Sequence, residues 1–334
     1  MSLFCIDSAP IISKKLAINM WADYIELICL MNTDKEISIN DIISDDKQDN
    51  ILQEEQLKED IDGDEEYSEN FEKKRLYYNE IFKYLKSRMI FLKEYYPFEI
   101  IDETILKRKN LDDEKYLYIY FLISSNTRYF IKKETSYAFT NFFEHISLLV
   151  MKIIYPNFDN HLFGTANKKG DLFYGGTLLD KLKTLSQCLG TNVILKTSEN
   201  PHNLSGGGDK GLDIVSFYSL DHESTGIPYI PFSFCQCTCS YNTWKIKQNT
   251  IKPIFWINRF NDLPAYHEYM FVPFSFREIN GKWSKSEIEE INTIVIDRFR
   301  FFHLIKIGNI EFTNILPDQV KSAIINILKG NDDV

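Results

Sequence analysis

No run of eighteen apolar residues occurs in this 334-residue chain, so the sequence offers no membrane-spanning helix. The opening Met1-Ser-Leu-Phe-Cys-Ile-Asp7 lacks a basic start followed by an apolar stretch, and no secretory signal is expected. The six histidines (145, 161, 202, 222, 267 and 303) show no metalloprotease spacing. There is no Gly-x-Ser-x-Gly elbow for a serine nucleophile. A phosphate loop is excluded because Lys210 is followed by Gly211 instead of Ser or Thr. No internal repeat is found. Six cysteines (5, 29, 188, 235, 237 and 239), in a chain without a secretion signal, are expected to be free, buried thiols.

What is present is apolar and aromatic. The chain is 44% hydrophobic, with 25 Phe and 19 Tyr, enough for a sizeable core in one large domain or two ordinary ones. Net charge is −10, which at first argues against nucleic acid. Residues 45–72, however, hold thirteen acidic residues against two lysines, a net of −11, so the remainder stands at +1. Local basic patches on the folded part are therefore allowed.

Helical spacing predicts helices over 15–32, 71–93, 115–130 and 136–154. The acidic run 45–70 is expected to be a mobile loop. Thr177 with Asp180 forms a capping-box pattern ahead of Leu178, Leu182, Leu185 and Leu189, and Gly190 suits the helix end. Strands are expected at 193–195, 212–218, 231–239, 251–257 and 269–274, followed by helices near 284–305 and 315–329. Arg298-Phe-Arg-Phe-Phe-His303 interleaves basic and aromatic residues, but reads first as a helix with Phe299 and Phe302 buried. The order predicts an α/β or α+β fold: a central mixed sheet flanked by helices, under an N-terminal helical layer. The boundaries drawn are 1–130 for the helical region, 131–310 for the core and 311–334 for a C-terminal helix.

One segment stands apart. Gly206-Gly-Gly-Asp-Lys-Gly-Leu-Asp-Ile-Val215 precedes Phe234-Cys-Gln-Cys-Thr-Cys239 by about twenty residues. Strand alternation puts Asp213 on the face of Val215 and Phe217, and puts Gln236 and Thr238 opposite the three cysteines. An Asp among apolar residues is costly to bury unless something binds it, and a hard divalent cation is one such partner. The same residues also read as a glycine-rich hairpin with a salt-bridged Asp. Cys235, Cys237 and Cys239 alternate along one strand without the paired spacing of structural zinc, and read as a thiol-lined core face.

Gly208-Asp-Lys-Gly-Leu-Asp-Ile-Val215, Gln236-Cys237 and Trp244-x-x-Lys247 resemble the PD-(D/E)xK, or restriction-endonuclease-like, nuclease superfamily, in a subgroup associated with bacterial defence loci. Phe271-Val-Pro-Phe274, Tyr96-Pro-Phe98 and Phe163-Gly164 share the resemblance, as does the helix from Thr177 to Gly190. It implies hydrolysis of DNA phosphodiesters with Mg²⁺ or Mn²⁺, Asp213 and Gln236 holding the metal, and Glu144 as the helix glutamate. The family's lysine should stand at 238, where this chain has Thr238. Lys247, and less readily Lys245, is the candidate replacement; Asp209 reads as a turn residue. The resemblance further implies a cytoplasmic defence effector with a controlling protein partner, an ATPase by first choice, and allows a homo-oligomer. The departure at Thr238 leaves a second reading, a catalytically degenerate nuclease fold that binds nucleic acid or protein. A third is a regulatory subunit using its acidic loop.

Overall fold

A computed structural model describes residues 4–6, 18–44, 63–194, 209–220, 230–261 and 263–329. The chain is mixed α/β and divides into two compact units. The first comprises Met1–Thr135, Phe276–Lys285 and Glu311–Val334; the second comprises Ser136–Ser275 and Ser286–Ile310. Among the described residues, no helix is long and apolar enough to cross a membrane.

The first unit carries α1 (Ile18–Met31), β1 (Glu36–Ser38), α2 (Ile39–Ser44), α3 (Gly63–Leu92), β2 (Phe98–Ile101), β3 (Ile105–Arg108) and α4 (Asp113–Ser124). Helix α3 begins at Gly63, so the last eight residues of the expected acidic loop 45–70 are helical. Residues 45–62 lie outside the described residues. The N-terminal region, expected to be helical with an acidic loop, also contains a three-stranded antiparallel sheet in the order β1-β3-β2. Its β2–β3 hairpin turns through Asp102 and Glu103, both at positive φ (47° and 61°). No glycine or asparagine marks that turn, so the usual hairpin signal is missing. The C-terminal helix Asp318–Lys329, drawn in sequence as part of a separate element, packs within this unit against α1 and α4. The Phe276–Lys285 excursion also belongs here; in it the Arg277 guanidinium lies 4.1 Å from the Trp283 ring centroid.

At the centre of this unit is a charged network that hydrophobic patterning does not reveal. Arg88 of α3, 1% exposed, reaches Asp23 Oδ1 at 2.6 Å and Glu26 Oε1 at 2.9 Å on α1. It also donates to the Asn19 carbonyl at 3.0 Å. The Tyr96 and Tyr118 hydroxyls each donate to Glu26 at 2.8 Å. A buried ion pair is tolerable only when such extra hydrogen bonds offset its desolvation.

The second unit holds α5 (Lys133–Ile154), β4 (Asp159–Leu162), α6 (Leu178–Cys188), β5 (Ile214–Phe217), β6 (Phe232–Cys237), α7 (Trp244–Lys247), α8 (Pro253–Trp256), β7 (His267–Phe271), β8 (Ile294–Ile296) and α9 (Arg298–Ile307). The sheet order is β4-β5-β6-β7-β8. The first three strands are antiparallel, and β7 and β8 join parallel. On one sheet face Val215, Phe217, Phe232 and Phe234 meet the leucines of α6 with Trp256 and Phe260. The capping box at Thr177 and Asp180 starts α6 as its pattern demands. On the other face, Phe301 of α9 packs on Phe143 of α5 and Phe271 of β7.

Two expected elements change type. Residues 251–257 are helical turns, because Pro253 occupies the first helical position, which a missing N–H suits. The single helix at 284–305 is broken by β8, a β-branched run that the parallel edge of β7 captures; Asp297 then caps α9. Val193 makes one bridge to Phe260, and Leu195 lies outside the described residues. The Arg298–His303 run is helical. Arg298 is buried with its Nε donating to the Pro273 carbonyl at 2.7 Å, and of the two phenylalanines marked for burial Phe302 is buried and Phe299 half-buried.

Replacing Arg88 with Met leaves two carboxylates buried without their cation. Arg88→Met is expected to cost about 3–5 kcal/mol. Lys83→Ala, which removes an exposed pair to Glu80, is expected to leave the urea midpoint in place. Equal midpoints for both variants would contradict this account.

Candidate functional site

The site lies where β4 ends, β5 begins and β6 ends. Antiparallel pairing of Ile214 with Cys235 carries Asp213 to the side of Gln236. Asp213 is 6% exposed. Its Oδ2 accepts from the Cys237 backbone N–H and from Gln236 Nε2, both at 2.6 Å. The expected encounter of these two side chains is therefore present, with a difference in polarity. Gln236 faces Asp213 with its NH₂, which also donates to the Cys237 carbonyl at 2.9 Å. Its Oε1 accepts from the Thr250 hydroxyl at 2.9 Å. In this orientation Gln236 holds the carboxylate and does not offer its oxygen beside it, because two acceptors select the nitrogen.

Glu144 comes from α5 and is 9% exposed. Its Oε2 is buried without a hydrogen-bond partner. Gly164, just after β4, explains how the two carboxylates meet. A Cβ on Gly164 would lie 2.8 Å from Glu144 Oε2 and 3.0 Å from Asp213 Oδ1. Glycine leaves that point open, so the two oxygens approach no farther apart than the sum of those distances. Gly211 serves the opposite wall: at φ +82°, a Cβ there would lie 2.6 Å from both Gln236 Oε1 and Thr250 Oγ1.

Glu144, Asp213, Gly211, Gln236 and Thr250 line one cavity of about 420 Å³, together with Tyr137, Asp209, Thr238 and Lys247. Asp209 accepts from the Gly211 N–H at 2.8 Å, so the turn role read from sequence is present. It also raises the proton affinity of both Glu144 and Asp213. Of the two candidate lysines, Lys247 lines the cavity and favours the ionised forms of both carboxyls. Lys245 is turned to Glu290 at 3.3 Å. Thr238 Oγ1 accepts from the Ser240 N–H at 3.3 Å and brings no charge. Cys235, Cys237 and Cys239 are free and buried, and burial raises their thiol pKa values, so they stand as neutral thiols.

Burial is the largest cause raising the carboxyl pKa of both Glu144 and Asp213. For Glu144 the charge of Asp213 comes next. Two facing carboxyls, one with an unpartnered oxygen, form a donor set for a hard cation. Mg²⁺ needs only one or two carboxylates beside phosphate and water oxygens. Among the described residues, no group of three or more His, Cys, Asp and Glu gathers as a metal cluster. The residues could thus offer one or two oxygens to a hard cation, and do not fit an all-protein zinc cage.

Thr250 and the buried Lys181 lie outside the sequence motifs, and Gly164 stands in one of them without an assigned role. Thr250 carries no motif. Lys181 had a signal: it interrupts the apolar stripe of α6 between Leu178 and Leu185. No family model, curated protein or solved structure matches this chain.

Two outcomes are expected. Gly164→Ala keeps the backbone comfortable but drives a methyl between Glu144 and Asp213. Calorimetric Mn²⁺ affinity is expected to fall at least about tenfold with little change in secondary structure; wild-type affinity would refute the close approach. The second concerns pH. A carboxyl whose pKa is raised on folding binds its proton more tightly in the native state, so its contribution is complete below the ordinary carboxylate range. That contribution is lost as pH rises through the raised native value. The metal-free protein is expected to lose thermal stability from about pH 5 to pH 8, with Asp213→Asn flattening the slope. A slope of opposite sign in the wild type would show that these carboxyls are not the dominant buried acids.

Proposed function

We propose that this chain is a divalent-metal-dependent endonuclease of the restriction-endonuclease-like kind, acting on DNA. The observation that carries the reading is the orphaned Glu144 Oε2 facing Asp213 Oδ1 across Gly164 in a cavity that Lys247 also lines. Sheet topology supports it. The resemblance implies a mixed sheet flanked by helices, and the second unit has a five-stranded mixed sheet with helices on its faces.

In this reading Gln236 and the Cys237 N–H fix Asp213 Oδ2, so Oδ1 stays turned toward Glu144. Asp213 and Glu144 would hold Mg²⁺ or Mn²⁺. Once bound, the cation supplies positive charge at a phosphoryl oxygen and lowers the pKa of water. Lys247 provides the ammonium that Thr238 lacks, neutralising charge on the phosphate. The resemblance to defence-associated nucleases supports a cytoplasmic anti-phage effector held in check by a protein partner, with an ATPase the first choice.

A second reading has its own observation. Asp213 Oδ2 is already taken by two donors, and the Gln236 amide nitrogen points at it. A site so arranged suits a catalytically degenerate member that binds nucleic acid or protein.

Plasmid cleavage separates the two. The nuclease reading expects nicking or linearisation with Mg²⁺ or Mn²⁺, none with EDTA, and none from a folded Asp213→Ala variant. DNA retention without product, unchanged by metal or by Asp213→Ala, would leave only the degenerate reading.

A further inference from the structure

We propose that Lys181 is a positioning residue for the Asp213–Glu144 pair, acting through the Phe163–Gly164 turn. The proposal deepens the nuclease reading and rests on it for its consequence at the metal. Lys181 is 6% exposed, on the apolar side of α6. Its ammonium donates to the Phe163 carbonyl at 2.9 Å and to the Gly164 carbonyl at 3.4 Å, and lies 5.6 Å from the Phe163 ring centroid. A buried ammonium is costly unless its donors are used, so these carbonyls are held firmly.

The same two residues face the other way into the site. The N–H groups of Phe163 and Gly164 both donate to the Asp213 carbonyl, at 2.7 and 3.1 Å. Gly164 is also the point against which both carboxylates rest. One ammonium therefore fixes a turn that fixes the backbone of one carboxylate and the spacing of the pair. Burial lowers the pKa of this ammonium, and the carboxyls of Asp209 and Glu144 act against that shift. The role differs from that of Lys247, which lines the open cavity.

The test compares Lys181→Met with the wild type in the full chain. Amide hydrogen exchange is read at Phe163 and Gly164, with the β6 and β7 amides as controls, and Mn²⁺ affinity is read by calorimetry. The expected result is about tenfold faster exchange at those two amides, unchanged controls, and Mn²⁺ binding weakened about tenfold, as loss of an outer-shell partner does. In cleavage, the metal concentration needed for half-maximal rate rises, whereas Lys247→Ala lowers the maximal rate. Wild-type exchange at Phe163 and Gly164 in a folded Lys181→Met protein overturns the proposal. So does wild-type Mn²⁺ affinity, provided the wild type binds Mn²⁺. Should Lys181→Met not fold, Lys181→Gln decides: faster exchange at the two amides supports it and wild-type exchange overturns it. A wild type that neither binds Mn²⁺ nor cleaves DNA sinks the nuclease reading alone, because the exchange result still decides the part of Lys181 in the turn.

Discussion

A carboxylate buried at the head of a β-strand is the constraint around which the second unit is arranged. Asp213 sits where desolvation penalises its charge, and the surrounding chain answers atom by atom. The Cys237 N–H and the Gln236 amide take Oδ2, and the Phe163 and Gly164 N–H groups take the backbone carbonyl. Each of these partners is delivered by a strand end or the turn beyond one. The register of β4, β5 and β6 is thus inseparable from the chemistry of the cavity: a one-residue slip would turn Asp213 to the opposite face.

The answer is incomplete, and that is informative. Oδ1 of Asp213 and Oε2 of Glu144 both crowd the open point at Gly164, and the latter has no hydrogen-bond partner. Proteins seldom bury a polar atom without one, because the lost hydration costs about 1–3 kcal/mol. The first unit shows the contrast. There Asp23 and Glu26 are equally buried, yet Arg88, Tyr96 and Tyr118 meet them directly. One acidic cluster is closed by the protein's own donors. The other lines an open cavity, which under the proposed function would admit a cation and a substrate.

Much of this was legible in the residues, and the limits have physical causes. Strand alternation sufficed to bring Asp213 to Gln236 because period-two geometry leaves little choice. The capping pattern at Thr177 and Asp180 placed α6. The Trp244-x-x-Lys247 spacing favours Lys247 over Lys245, and tertiary contacts agree: Lys247 lines the cavity and Lys245 turns to Glu290. The N-terminal sheet leaves no hairpin signal because it turns on Asp102 and Glu103 without a glycine. The strand Ile294–Ile296 carries little signal of its own because a three-residue strand is defined by its neighbour β7. The polarity of the Gln236 amide is set by Thr250 and the Cys237 carbonyl, and no spacing rule encodes it.

The most direct test of the central claim is a crystal of the protein soaked in Mn²⁺ and measured at the manganese absorption edge. The account predicts an anomalous peak between Asp213 Oδ1 and Glu144 Oε2, lost in crystals of Asp213→Asn. An empty cleft at saturating Mn²⁺, or Glu144 turned away to a protein donor, would contradict it.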